Sequence, residues 1–172
     1  ITYVEVENAV AIGHRALATK IGATAVGQQA QGFGTTSTAV GNSSRALGDN
    51  SVAMGNTANA GAGGAIAIGL HANYQPSVAA SADGSTPKID SAYKTTGANS
   101  VAIGVRTNAT SNHSIAMGTE SKALAQGAVA VGSESKTEGV NATAIGQVAH
   151  AKGQNSFAGG NDSHAIGLSS VC

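Results

Sequence analysis

Residues 51–61 read SVAMGNTANAG, and this phrase carries the pattern that decides the fold. A short run of β-branched and small apolar residues ends at a glycine, a polar pair follows, and a second run of small residues comes next. The phrase returns with a 14-residue period, closing each time on what we call an anchor glycine: Gly13, Gly27, Gly41, Gly55, Gly69, Gly104, Gly118, Gly132, Gly146 and Gly160. One gap, from Gly69 to Gly104, is wider by 21 residues and indicates an insertion. A fixed period of this kind predicts a solenoid.

The three residues before each anchor glycine predict a first strand. The middle one is alanine in all ten units, and its two neighbours are mostly Val, Ile, Thr or Met, as in Val101, Ala102 and Ile103. Stiff β-branched side chains at alternate positions favour a pleated strand. Both faces of this strand are apolar, which is typical of a sheet that is covered on both sides.

The residues three to five places after each anchor glycine predict a second strand with one small buried face and one solvated face. Its solvated column consists of Leu17, Gln31, Arg45, Asn59, Asn73, Asn108, Lys122, Lys136, His150 and His164. Gly or Asn stands five places before most anchors, where we expect a left-handed corner. Each unit is therefore one coil of two short strands, and the coils stack in parallel into an all-β roll of about ten turns.

A single thin roll covers only one side of the first strand, so we expect a homo-oligomer joined along the rod. The residues expected in the interface or in the roll core are Val52, Ala53, Met54, Val101, Ala102, Ile103, Val129, Ala130 and Val131. The pattern leaves open whether the alanines or their larger neighbours point into the roll, because either arrangement buries both columns.

Composition excludes several classes of function. Nine basic and nine acidic residues cancel, so we expect no nucleic-acid partner. No run approaches the roughly 20 apolar residues that span a bilayer, so we expect no membrane contact by this chain. The single cysteine, Cys172, precludes an internal disulfide and is interpreted as an incidental terminal residue.

The phrase Asn-Ser-Val-Ala-Ile-Gly at residues 99–104, with its variants at 50–60 and 155–167, resembles the head repeat of YadA-like trimeric autotransporter adhesins. The resemblance extends over essentially the whole chain outside the insertion. It implies one head domain, residues 1–172, folded as a left-handed parallel β-roll and assembled as a side-by-side homotrimer. It also implies a non-enzymatic virulence adhesin at the surface of a Gram-negative bacterium, anchored elsewhere in the outer membrane, that attaches to host extracellular matrix or host cells.

The repeats span residues 8–73 and 97–168, and the inserted loop or hairpin spans 74–96. In the last unit Phe157 and Gly159 replace the usual β-branched and large apolar residues, and we expect regular stacking to end there.

Two regions are candidate ligand sites. A long irregular segment in a regular solenoid often carries specificity, which points to Tyr74, Lys88, Tyr93 and Lys94 in the insertion. The alternative interpretations of the insertion are a tolerated surface excursion and a flap that packs on its own roll or on a neighbouring chain. The second region is the solvated column, where Arg45, Lys122, Lys136 and His150 could face an extended partner such as a collagen-like helix or a glycan. Such a column is otherwise simply a wet sheet face with nearby glutamates.

No catalytic, cofactor or metal site is predicted. Two histidines on adjacent coils, His150 and His164, are too few ligands for a metal. The left-handed β-helix acyltransferases have a period of six, and no phosphate-binding Gly-x-x-x-x-Gly-Lys motif is present. An ice-binding solenoid would need an exposed threonine array. A fibre segment or spacer without its own receptor site remains the alternative to an adhesin.

Overall fold

The computed structural model describes residues 3–4, 6–73 and 97–172, and every regular element in these ranges is a short strand. The first ten strands are β1 (Tyr3–Val4), β2 (Val10–Ile12), β3 (Leu17–Ala18), β4 (Thr24–Val26), β5 (Gln31–Gly32), β6 (Thr38–Val40), β7 (Arg45–Ala46), β8 (Val52–Met54), β9 (Asn59–Ala60) and β10 (Ile66–Ile68). After the insertion come β11 (Val101–Ile103), β12 (Asn108–Ala109), β13 (Ile115–Met117), β14 (Lys122–Ala123), β15 (Val129–Val131), β16 (Lys136–Thr137), β17 (Thr143–Ile145), β18 (His150–Ala151), β19 (Phe157–Gly159) and β20 (His164–Ala165). The first strand of every unit lies where the repeat predicts it, and so does the second strand of every unit except the one of Gly69, after which residues 74–96 are inserted.

The strands form three parallel sheets. The three-residue strands make one 10-stranded sheet, called the first sheet, in the order β19-β17-β15-β13-β11-β10-β8-β6-β4-β2. The two-residue strands make two five-stranded sheets, β1-β3-β5-β7-β9 and β12-β14-β16-β18-β20, called the N-terminal and C-terminal second sheets. Equivalent residues of successive coils pair in register, for example Ala53 with Ala67. The prediction of a parallel solenoid of about ten turns is confirmed, whereas its left hand and its assembly stay predictions.

The insertion leaves the first sheet intact. Strand β10 pairs directly with β11, and Ile66 lies opposite Val101 in the same register as every other pair. The second strands, in contrast, are divided into two sheets at this point, where residues 74–96 are inserted between Asn73 and Gly97. The insertion thus interrupts the sequence on the second-strand side of the roll.

The alanine column points into the roll, which resolves the choice that the sequence pattern left open. Ala53, Ala102 and Ala130 are fully buried. Their neighbours in the strand, such as Val52 and Val101, are only partly buried and point outward. The two walls of the roll lie so close that alanine, serine, threonine and glycine fill the space between them, and the largest fully buried side chains are Thr107 and Thr137.

Buried serines complete this thin core by bonding to the corner carbonyls. The Ser51 hydroxyl donates to the carbonyl oxygen of Gly48 at 2.6 Å, and Ser114 donates to Ser111 at 2.6 Å. On the other wall, Ser135 donates to the anchor carbonyl of Gly132 at 3.0 Å. Each of these hydroxyls therefore has a hydrogen-bond acceptor inside the core, and each corner carbonyl gains a donor in place of a ladder hydrogen bond.

The corners take left-handed backbone, as predicted for the Asn and Gly positions: φ is 56° at Asn50 and 54° at Asn99. A second left-handed column was missed, because it lies two places after each anchor glycine and carries ordinary side chains. It includes Arg15 at 56°, Glu120 at 58° and the β-branched Val148 at 60°. A left-handed valine is strained, since its Cβ crowds the backbone.

We expect Val148→Asn to raise the free energy of unfolding by about 1 kcal/mol, because asparagine tolerates the left-handed region far better than valine. Denaturant unfolding at one fixed protein concentration measures the change. The matched control is Val140→Asn, an exposed valine whose φ is not positive. Equal effects of the two substitutions would contradict the strain at Val148.

Asn73 closes the second-strand ladder where the insertion departs. Its backbone is left-handed, with φ of 52°, so its own carbonyl turns away from the next coil. The Asn73 side-chain oxygen Oδ1 instead accepts the buried Ala109 N–H at 2.7 Å, while the Asn73 N–H donates to Thr107 at 2.7 Å. The side-chain amide thus takes the place of a peptide carbonyl.

We expect Asn73→Ala to lower the free energy of unfolding by about 1–3 kcal/mol, because the Ala109 N–H is left buried without an acceptor. The control is Asn59→Ala, one coil earlier in the same column, where the buried Oδ1 accepts no hydrogen bond. Amide hydrogen exchange at Ala109 gives a local readout. Unchanged protection at Ala109 in the Asn73 variant would contradict this role.

Stacking does not end at the last unit, so that prediction is wrong. Val171 forms a parallel bridge with Phe157, and the Cys172 N–H donates to the Phe157 carbonyl at 2.9 Å. The Phe157 ring lies over Gly159, where an added Cβ would be 2.6 Å from Cε1, so the ring covers the space of the missing side chain. Cys172 takes the column that alanine occupies in the other units, and it is therefore a regular position of the repeat.

Candidate functional site

The roll presents two long outward surfaces. The first face consists of the outward side chains of the first sheet, and the second face consists of the outward side chains of the two second sheets. Stacked coils place equivalent side chains about 4.8 Å apart along each face. Any property of a column is therefore repeated along the rod.

The first face is mostly apolar along its length, with threonine at three positions, and carries no charged residue within the part of the chain that the structure describes. Its members are Val10, Ile12, Thr24, Val26, Thr38, Val40, Val52, Met54, Ile66, Ile68, Val101, Ile103, Ile115, Met117, Val129, Val131, Thr143, Ile145, Phe157 and Gly159. Ile12 is 59% exposed and Ile145 is 45% exposed. Ten rungs of two side chains cover roughly 500 Å², at the upper end of what a soluble monomer leaves open to water.

The second face differs between its two halves. In the N-terminal half the outward strand residues are Leu17, Gln31, Arg45 and Asn59. In the C-terminal half they are Asn108, Lys122, Lys136, His150 and His164, each opposite the next in the ladder. The residue after each strand of this half also points outward, which adds Thr110, Leu124, Glu138, Lys152 and Ile166.

The predicted solvated column is interrupted near the insertion. Asn59 is only 9% exposed and Asn73 only 2% exposed, so these two asparagines are buried rather than solvated. Asn73 is drawn inward because its side chain completes the ladder. The accessible part of the column is therefore divided, and Arg45 is not brought together with Lys122, Lys136 and His150.

Glu138 is the carboxylate of the C-terminal second sheet. It forms an ion pair with Lys136, and its Oε2 lies 3.3 Å from Nε2 of His150. The hydrogen bond from Lys136, followed by the charges of Lys136 and His150, lowers the pKa of Glu138 despite partial desolvation. A lowered folded-state pKa stabilises the fold above the ordinary glutamate pKa, and this contribution is lost as the pH falls through the lowered value.

The histidines of the last two coils contact each other edge to face, with ring centroids 5.8 Å apart. Nδ1 of His164 lies 3.0 Å from the carbonyl oxygen of Asp162. Within residues 3–4, 6–73 and 97–172 there is no group of three or more His, Cys, Asp or Glu residues placed to hold a metal ion.

The other predicted ligand residues, Tyr74, Lys88, Tyr93 and Lys94, lie outside the described residues. Lys152 is a second-face residue that the central column of the second strand does not include. Strand alternation predicts its position, since residues two apart point to the same side. Among the described residues, no helix is long and apolar enough to cross a membrane.

Comparisons with known proteins agree with this architecture. The crystal structure of the collagen-binding domain of the Yersinia adhesin YadA is similar to this chain, with a TM-score of 0.58 and 24% sequence identity. The similarity covers 97% of this chain and 80% of that chain, and it shows a shared fold. No match was found among curated proteins.

The family model described as "YadA head domain repeat (2 copies)" matches the sequence in seven segments, several of which overlap. They are residues 7–30, 34–58, 46–72, 96–121, 109–135, 123–149 and 138–163. Together they include more than half of the chain, on both sides of the insertion. The chain therefore belongs to the YadA head domain repeat family.

Proposed function

We propose that this chain is the head of a non-enzymatic bacterial surface adhesin, and that three copies assemble side by side through their first faces. The observation that carries the assembly is the uncharged apolar surface that runs the length of the first sheet. Exposing roughly 500 Å² of apolar surface to water is unfavourable, and every coil contributes to this surface. A second copy of the chain has the same length and the same repeat, so it can cover the surface along the whole rod. The number three comes from the resemblance to trimeric autotransporter adhesins.

The remaining exposed surface is then the adhesive one. A trimer repeats each second face three times around the rod, and stacked coils repeat each contact along it. Multivalent binding of this kind raises the effective concentration, so weak individual contacts are sufficient for firm attachment. The matching Yersinia domain is described as collagen-binding, which supports an extracellular matrix protein as the ligand class, with a host-cell receptor as the other outcome.

The proposed place of action is outside a Gram-negative cell. The head would be held there by parts of the protein other than the described coils. Its insertion and its second face are the candidate contact regions.

Two measurements on residues 1–172 test the proposal. Analytical ultracentrifugation over a wide concentration range should give the mass of three chains, and a stable monomer would refute the assembly. Surface binding to immobilised collagen, other matrix proteins and host cells should show attachment that a heat-unfolded sample lacks. Binding to none of them would favour a spacer over an adhesin.

A variant without the insertion tests whether the insertion contacts the ligand. Replacing residues 74–96 with a two-residue continuation restores the length of an ordinary coil. Loss of attachment with an unchanged trimer mass would place the ligand site in the insertion, whereas full attachment would remove the insertion from the site.

A further inference from the structure

We propose that the C-terminal half of the second face binds an anionic linear polysaccharide lying along the rod axis. The proposal rests on the adhesin function above and names a ligand class for one surface. The group that carries it, called the cationic strip, is Lys122, Lys136, His150 and Lys152.

Three members of the cationic strip lie on neighbouring strands in strict register, and Lys152 directly follows strand β18. Lys122 is opposite Lys136, and Lys136 is opposite His150. Lys122 and Lys136 are directly opposed like charges, which destabilise a sheet, so this pair works against folding rather than for it. A polymer with negative charges at regular intervals would relieve this repulsion.

Two of the lysines have no carboxylate partner among the described residues. Lys122 and Lys152 are exposed, and neither lies in an ion pair, whereas Lys136 is held by Glu138. The other glutamates of these coils, Glu120 and Glu134, lie at the corner between the first and second strands, where Glu120 pairs with Arg106 at 3.0 Å. The strip thus keeps an uncompensated positive charge although the whole chain is neutral.

The N-terminal half of the second face supplies an internal contrast. It has the same backbone, but Leu17, Gln31 and Asn59 stand in the column, and Arg45 is the one charged residue among the described members of the column. On the described part of the second face, positive charge is therefore concentrated in coils seven to nine. A neutral or charge-balanced partner, such as a collagen-like peptide, would have no reason to choose one half over the other.

The test uses the native assembly of residues 1–172 and calorimetric titration with a heparin octasaccharide, a hyaluronan octasaccharide and a neutral dextran of similar size. Heparin carries sulfate and carboxylate groups, whereas hyaluronan carries carboxylate alone, so the pair separates the two sources of charge. We expect binding of at least one of the two anionic sugars, none of dextran, and a loss of about tenfold or more between 50 and 200 mM salt.

Three variants locate the site. Lys122→Ser with Lys152→Ser should weaken binding about tenfold, since two unpaired cations are lost. The control, Arg15→Asn with Lys20→Ser, removes the same charge away from the second face and should change binding less than about twofold. Glu138→Gln should strengthen binding about two- to threefold, because it removes the carboxylate within the strip.

The proposal is overturned if neither anionic sugar binds at 50 mM salt, if the control loses as much as the lysine variant, or if Glu138→Gln weakens binding. Binding of a triple-helical collagen-like peptide that depends on the strip, with no glycan binding, also overturns it. Attachment of the lysine variant to host cells is measured in parallel. Retained attachment with lost glycan binding rejects the strip as the adhesive surface and leaves the adhesin function standing.

Discussion

Gly132→Ala is expected to cost about 3 kcal/mol or more of folding free energy, one of the two largest effects predicted here. Gly132 has φ of 130°, and a Cβ at this position would lie 2.3 Å from the carbonyl oxygen of Gly146 in the next coil. The contact is with backbone, so no rotamer change relieves it. The two coils must separate, and separation breaks the parallel ladder on both sides of the corner.

Gly160→Ala is the control that divides this cost into its two causes. Gly160 occupies the same corner with φ of 115°, but a Cβ there would meet nothing within 4 Å. It should show only the conformational penalty of about 1–2 kcal/mol. Denaturant unfolding at one protein concentration measures both, and hydrogen exchange in coils eight and nine reports the local separation. Equal losses would mean that backbone strain, and not coil spacing, requires the anchor glycines.

The sequence predicts the coil because period and turn chemistry are local properties. The alternation around Ala102 and the glycine at Gly104 are sufficient to position strand β11 and its corner. The sequence does not decide which side of strand β11 faces inward. That choice depends on the distance between the two walls of the roll, which is a property of the closed coil. With the walls this close, the inward position of the first strand takes alanine, and the larger Val101 and Ile103 point outward.

The candidate site was less predictable for a similar reason. The repeat pattern of the second strand predicts that Lys122 and Lys136 are exposed. The burial of Asn73 follows instead from the place where the insertion interrupts the ladder, and no repeat pattern contains that information. The left-handed backbone at Val148 was also hidden, because the repeat tolerates ordinary residues in that column at the expense of strain. Local patterns thus specify the regular coil, whereas exceptions depend on three-dimensional neighbours.

Ile103→Glu combined with Met117→Glu is expected to convert the proposed trimer into a monomer or an unfolded chain. The two residues are directly opposite each other in neighbouring strands β11 and β13, at the middle of the first face. Each new carboxylate would be buried against the partner chains, and an unpaired buried charge costs several kcal/mol. Three copies of each substitution would meet around the axis, so like-charge repulsion adds to desolvation.

Sedimentation analysis distinguishes assembly from folding, because circular dichroism on the same sample reports whether strands persist. The matched control is Asn108→Glu with Lys122→Glu, which introduces the same two glutamates into the same coils but on the second face. The control should keep the mass of the native assembly. If the first-face variant also keeps that mass, its two glutamates are solvent-exposed in the assembly. The first face is then not the surface that joins the chains. Loss of assembly in both variants would point to net charge rather than to the first face as the cause.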